Sequence, residues 1–357
     1  MSLYERKTTV ERAIGVAVLV FVLFAPQLVS GFWMDTVLTQ TFILGIGAAS
    51  LVFLSAYGGM ISLAQSGLMG IAGYALGNMV TERRGGESKG LLLGWDPTLS
   101  VVLAVLLTVG IGILFGAVAS RSFGIYFLML TLTYSVIVFL FVSQVTQVGG
   151  FSPIAGIDRY TPGFMGDVVN DRQRLYYVSL AVALVVYALI RYLVRTPFGI
   201  ALEGIRDEPV RLASLGYNVT LHRTLAFGIG SLIAGVAGVL FAWWSGQLSP
   251  SDIGLQATIQ LLVIAVIGGL TRIEGAWLGA FAYIWISNEV TNRIPEGGLW
   301  LVGGSFNTVI GLAFLAIVIA SPDGLMGLWD RIWNGLRGRR GGTGEPAVAA
   351  GSTGSQA

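Results

Sequence analysis

The chain contains no cysteine. That absence excludes disulfides, thiolate metal sites and cysteine nucleophiles, and leaves the redox compartment undecided. His222 is the sole histidine, so no histidine metal cluster can form. Lys7 and Lys89 are the only lysines, and neither stands in a GxxxxGK[ST] context, so the chain carries no phosphate-binding loop of that kind. Charge is scarce too: Asp, Glu, Lys and Arg make up 11% of the residues, against about 25% in a soluble domain. Such a chain has too little polar surface for water, and lipid is its expected solvent. The net charge of +2 is too small to point to nucleic acid. No Asp or Glu falls near the centre of an apolar run. Buried carboxylates are the usual hardware of proton-coupled carriers, so that mechanism loses ground, while sodium coupling through backbone carbonyls stays open. A membrane enzyme is the weakest reading, because no His, Cys or central carboxylate cluster is available. No cofactor is expected.

What the chain has is apolar length. Hydrophobic residues make up 54% of its 357 positions. At about 20 residues per crossing, ten spans with short loops use most of the chain and leave no soluble catalytic domain. The spans expected are 13–30, 36–56, 60–80, 98–119, 124–143, 175–194, 224–244, 256–270, 275–290 and 305–321. The eighth is short, carries Gln256 and Gln260, and ends at Gly268-Gly269; a re-entrant segment fits it as well as a span. Irregular backbone at that depth survives only under cover of protein or a water-filled cavity. Arg6, Lys7 and Arg12 before the run from Ala13 to Leu23 have the look of a signal peptide, but the apolar stretch continues towards Ser30, and an uncleaved first helix is expected. Lys and Arg fall about two to one on the side of the N-terminus, which puts both termini in the cytoplasm by the positive-inside bias. The expected fold is an all-α polytopic membrane protein. It has a cytoplasmic N-terminus over 1–12, a membrane domain over 13–330, and a largely disordered Gly/Ala/Ser/Thr-rich tail over 331–357.

Three segments stand out from this background. In 195–222, Thr196 suits a helix cap with Pro197 in the first turn, Asp207 suits a second cap before Pro209, and Gly216 suits a left-handed close. Two short helices, 198–205 and 208–215, would project from the cytoplasmic face with Glu203, Arg206, Asp207, Glu208 and Arg211 at their junction. Such a knuckle is a good lever for a partner protein; it is equally an ordinary loop whose arginines fix topology. In 58–74, Ser62, Ser66 and Gly70 are spaced for one helical face, and Gly73 and Gly77 extend a small-residue stripe suited to close packing. Gln65, an amide in apolar sequence, wants a polar partner or a wet cavity. Gly230, Ala234 and Gly238 repeat the small-residue pattern. The third segment, Val266 to Ala276, is a charged turn between apolar runs, as readily structural as a gate.

Taken together these segments resemble the inner-membrane permeases of branched-chain amino acid ABC importers, in particular their M-type member. The carriers of the likeness are Ser62-Leu63-Ala64-Gln65 to Tyr74, Gly124-Ile125-Tyr126-Phe127 through Leu130-Thr131-Leu132, and Thr196-Pro197-Phe198-Gly199 with Ile205-Arg206-Asp207-Glu208 and Leu215-Gly216. Ser249-Pro250-Ser251, Gly268-Gly269-Leu270, Gly275, Gly279 and Ser321-Pro322-Asp323-Gly324-Leu325 complete it, over about residues 36–330. Thr271-Arg272-Ile273-Glu274, Val148 to Ser152 and Ala64 depart from the family's pattern. The resemblance implies a bacterial inner-membrane subunit that moves branched-chain amino acids, with short-chain amides or urea as the nearest alternative. Its implied partners are two ABC ATPase subunits, a second homologous permease completing a heterodimer, an external solute-binding protein and membrane lipid. It implies that Glu203, Gly204, Arg206, Asp207, Glu208, Arg211 and Gly216 form the ATPase-coupling element. Ser62, Gln65, Ser66, Thr131, Gly268 and Gly269 are the corresponding candidates for the translocation pathway. From another class, a self-contained channel or ion-coupled carrier would need no partner.

Overall fold

A computed structural model describes residues 15, 20–27, 30–81, 91–163, 166, 171–293, 311, 312, 315 and 324–327. Part of the first expected span and most of the tenth, the loop holding Lys89, Ser321-Pro322-Asp323 and the tail lie outside the described residues. Helices dominate. They are α1 (Trp33–Gly58, with a π-helical start over Trp33–Thr39), α2 (Gln65–Val80), α3 (Pro97–Ala119), α4 (Ile125–Gln144) and α5 (Arg172–Val194). Two short helices follow, α6 (Pro197–Asp207) and α7 (Pro209–Ser214), then α8 (Val219–Ser245), α9 (Leu255–Gly268) and α10 (Glu274–Arg293). Two-residue strands, Ile154–Ala155 and Gln247–Leu248, pair antiparallel with Ile154 opposite Leu248, tying the loop after α4 to the loop after α8.

Five of the helices among the described residues, α1, α3, α4, α5 and α8, are long and apolar enough to cross a membrane. They divide by burial. The apolar core of α1 is 89% buried and that of α8 72%, whereas α3 is 22% buried. A helix apolar on all sides belongs inside a bundle, and α1 and α8 are the central posts. The outer helices α3, α4 and α5 turn residues such as Leu106, Leu114, Ile137, Phe141 and Val185 outward; apolar surface of that kind needs lipid. The inward face of α3 is small or polar, whereas α4 and α5 bury larger side chains such as Phe127, Val138, Leu175 and Ile190. On α3 the inward residues are Ser100, Ala104, Thr108, Gly112 and Gly116, four apart. They let its backbone approach α8 closely, since a Cβ on Gly112 would lie 1.9 Å from the Ser231 hydroxyl oxygen.

Two boundaries differ from the sequence expectation. The third span does not begin at residue 60: α1 ends at Gly59, in the left-handed conformation at φ 63°, and residues 59–64 are not helical before α2 starts at Gln65. Ser62 therefore stands outside the helix and does not share a helical face with Ser66 and Gly70. The reason is polar competition for the backbone. Leu63 N–H donates to Thr131 Oγ1 at 3.1 Å, and Ala64 N–H donates to Ser62 Oγ at 3.3 Å. Second, α9 has 14 residues, about 21 Å of helix against a hydrocarbon core of about 30 Å. It turns back at Gly269 (φ 108°) and packs backbone to backbone on α10; a Cβ on Gly268 would lie 1.8 Å from the Gly275 carbonyl oxygen.

Candidate functional site

The break at 59–64 folds back into the bundle. Ser50 lies eight residues before the end of α1, about 12 Å along its axis, and its hydroxyl donates to Gln65 Oε1 at 3.0 Å. Gln65, fully buried, also reaches Ser62 Oγ through Nε2 at 3.4 Å. So α2 starts well inside the bundle, and the amide that the sequence marks as needing a polar partner finds two. One residue on, Ser66 joins a hydroxyl triangle with Ser135 of α4 and Thr258 of α9. The sides are 2.6 Å (Ser66–Thr258), 2.9 Å (Ser135–Thr258) and 3.2 Å (Ser66–Ser135), and all three residues are buried. Each hydroxyl can serve as donor and acceptor, so three helices are held by bonds that can satisfy one another away from water. Thr131, buried one turn before Ser135, belongs to the same node through Leu63.

Above the triangle lies a cavity of about 320 Å³, framed by the first half of α1 (Gln40, Leu44), α2 (Ser66, Met69), the end of α8 (Phe241, Trp244), the turn before α9 (Asp252) and α9 itself (Gln256, Gln260). Its rim is exposed at Ser251 and Gln256, and its base is buried at Ser66 and Leu261. Gln256 and Gln260 lie four residues apart on α9. The role of Asp252 escapes the sequence reading, and so do those of Ser135 and Thr258; Asp252 lies in the turn before α9, beyond the extended Gly254, and its capping pattern with Ser249 is the local signal that marks that turn. Gly268 and Gly269 do not border this cavity. They sit in the α9–α10 contact.

At the opposite end of α1, α6 and α7 form a knuckle. Thr196 Oγ1 accepts the Gly199 N–H at 3.4 Å and caps α6, with Pro197 next. Asp207 does not cap α7, as its position before Pro209 suggests; it is the last residue of α6, and Glu208 takes the cap position without a side-chain bond. The Asp207 carboxylate instead accepts from Arg206 Nε at 2.8 Å. That hydrogen bond holds the Asp207 carboxyl below its ordinary range and raises the Arg206 guanidinium. Arg206 also donates through Nη1 to the carbonyl of Ala56, at the last turn of α1, and its side chain covers Gly59. Gly204 packs on Leu212 of α7, and Gly216 closes α7 at φ 91°. Glu203 is half-buried, while Glu208 and Arg211 are exposed. Beside them Val210 is 82% and Leu215 68% exposed, an apolar tip with a charged rim. Two further links brace this end. Arg191 of α5 and Glu274 of α10 pair at 2.8 Å, with Tyr187 OH donating to the same carboxylate oxygen at 3.0 Å. Arg223 of α8, 3% exposed, donates to the carbonyls of Ser120 and Ser122 at 2.8 Å and stacks over Phe123.

The family model described as the branched-chain amino acid transport system permease component matches residues 33–320. The high-affinity branched-chain amino acid transport system permease protein LivM of Salmonella typhimurium is 27% identical over 347 residues, covering 90% of this chain and 76% of that protein. LivM of Escherichia coli K12 is also 27% identical, with the same coverage. The probable branched-chain amino acid transport permease protein LivH of Methanocaldococcus jannaschii is 26% identical over 161 residues, 44% of this chain and 50% of that one. No solved structure matches at a significant level. Transport permeases, not enzymes, are thus what the chain is similar to, and its apolar helices make it a multi-pass membrane protein. The family match runs through α1, the hydroxyl node, the knuckle and α9, and the chain belongs to the branched-chain amino acid transport system permease components.

Proposed function

We propose that this chain is the M-type permease subunit of an ABC importer in a bacterial plasma membrane. It forms part of the pathway for branched-chain amino acids beside a second, homologous permease. An external solute-binding protein delivers the solute, and two ATPase subunits dock on the cytoplasmic face at α6–α7. Both termini are cytoplasmic in this reading.

The observation that carries the proposal is the position of Arg206. Its guanidinium bonds both the knuckle (Asp207) and the end of α1 (Ala56), where the non-helical segment 59–64 begins. That segment leads within six residues to Gln65 and Ser66 at the node. A push on α6–α7 thus has a short covalent and hydrogen-bonded route to the base of the cavity. Glu203, Gly204, Arg206, Asp207, Glu208, Arg211 and Gly216 form the coupling element, with Val210 and Leu215 as its apolar tip. Ser62, Gln65, Ser66 and Thr131 form the responsive node, while Gly268 and Gly269 serve the α9–α10 packing. ATP-driven closure of the ATPases moves the equilibrium between two arrangements only through contacts that differ between them. The exposed tip supplies such contacts.

Reversing charge at the tip, Asp207→Lys with Arg211→Glu, tests this. Leucine uptake per ATP hydrolysed should fall at least tenfold in the assembled transporter. Normal coupled uptake by the double variant would remove the knuckle from the mechanism.

A further inference from the structure

The cavity above the hydroxyl node carries a chemistry of its own. Among its described lining residues there is one carboxylate, Asp252, and no Lys, Arg or His. The side-chain amides of Gln256 and Gln260 line it from α9, and Leu44, Met69 and Leu261 supply apolar surface. At about 320 Å³ it stands at the small end of solute sites, with room for one small molecule and some water. A lone negative charge without a cation repels anions and favours a solute bearing an ammonium group. Neighbouring amides give N–H donors to a carboxylate without imposing a full counter-charge. Apolar side chains beside such a charged pair complete the requirements of an aliphatic amino acid.

We infer that this cavity is a solute subsite for a zwitterionic α-amino acid with an apolar side chain, in which Asp252 receives the ammonium group and Gln256 and Gln260 receive the carboxylate; this rests on the permease reading above. Asp252 is held for that role. Its Oδ2 accepts the Ser249 N–H at 2.8 Å, which fixes the carboxylate in the turn before α9 and leaves Oδ1 for the solute. The base of the site is Ser66, so a bound solute rests on the triangle joining α2, α4 and α9. Occupancy and the state of that node are therefore linked through one side chain. A neutral amide or urea would use the glutamines and have no need of Asp252, so the carboxylate separates the two solute classes.

The experiment measures initial uptake of radiolabelled L-leucine by the complete transporter in cells lacking other leucine systems. Wild type is compared with Asp252→Asn, Asp252→Glu and Gln260→Leu at equal membrane abundance. Asp252→Asn keeps the shape and the acceptor for Ser249 and removes only the charge. Uptake should fall at least tenfold in Asp252→Asn, fall also in Gln260→Leu, and recover in part in Asp252→Glu. ATP hydrolysis stimulated by the loaded binding protein should stay within twofold of wild type. Asp252→Asn uptake within twofold of wild type overturns the subsite, as does an Asp252→Glu loss equal to that of Asp252→Asn. Loss of binding-protein stimulation in Asp252→Asn also overturns it, by assigning Asp252 to the docking face. Wild type that takes up acetamide or urea but no leucine would sink the permease reading for amino acids, and the subsite with it. Leucine uptake unaffected by Asp252→Asn would sink the subsite alone.

Discussion

Gln65→Leu is the perturbation that most sharply separates a working node from inert packing. Gln65 is fully buried and makes two side-chain bonds, from Ser50 Oγ at 3.0 Å and to Ser62 Oγ at 3.4 Å. Leucine is of similar bulk and breaks both. Neither partner is orphaned, because the single Ser50 hydroxyl proton can turn to the Gly47 carbonyl at 2.6 Å and Ser62 Oγ also accepts from Ala64 N–H. The full penalty for a stranded buried group is thus avoided, and the loss is the net worth of the bonds, about 0.5–1.5 kcal/mol each. Two such bonds come to about 1–3 kcal/mol, about 5- to 150-fold in an equilibrium between two arrangements of segment 59–64. That is too little to unfold the bundle and enough to bias the node. Leucine uptake by the assembled transporter should drop at least fivefold, with co-purification of the ATPases unchanged. Unaltered uptake at equal membrane abundance would reduce Gln65 to a space-filling residue.

Two other outcomes follow from the packing and the knuckle. Gly238→Ala places a Cβ 2.1 Å from the Met69 carbonyl oxygen, a backbone atom that cannot swing aside. Overpacking of this kind costs about 1–3 kcal/mol or more, so the thermal midpoint in detergent should fall. Gly110→Ala, whose Cβ meets nothing within 4 Å, should leave the midpoint unchanged or slightly raised; equal behaviour of the two variants would contradict the α2–α8 contact. For pH, the Arg206–Asp207 hydrogen bond lowers the Asp207 carboxyl from its ordinary 3.8. A lowered carboxyl contributes fully above that ordinary value and loses its contribution only as pH falls through the lowered one. Uptake should therefore show no transition assignable to this pair between pH 5.5 and 8, and an Asp207→Asn variant that abolished a transition in that window would refute the assignment.

Much of the architecture is legible in the residues because apolar length sets it directly. The expected spans 98–119, 124–143, 175–194 and 224–244 fall within a few residues of α3, α4, α5 and α8. The lipid requirement of 20 apolar residues acts locally and leaves a local mark. Gly216 is legible for the same reason, since a left-handed close is a property of one residue. The break at 59–64 is not, because what holds it open is Thr131, far along the chain, and no window of sequence contains both partners. Asp207 misleads in a related way: its spacing before Pro209 fits a cap, yet the adjacent Arg206 offers a charged donor and wins the carboxylate. The cavity draws on α1, α2, α8 and α9, elements brought together only by the fold. Gln256 and Gln260 mark an irregularity in the sequence but do not reveal what faces them.

The most direct test of the account is solute accumulation in sealed vesicles. The purified chain would be incorporated alone, then with its companion permease and ATPases, and finally with ATP inside and leucine-loaded binding protein outside. Leucine should concentrate only in the last preparation. A gradient built by this polypeptide alone, whether driven by ions or by protons, would contradict the reading of it as a conduit moved from the α6–α7 face.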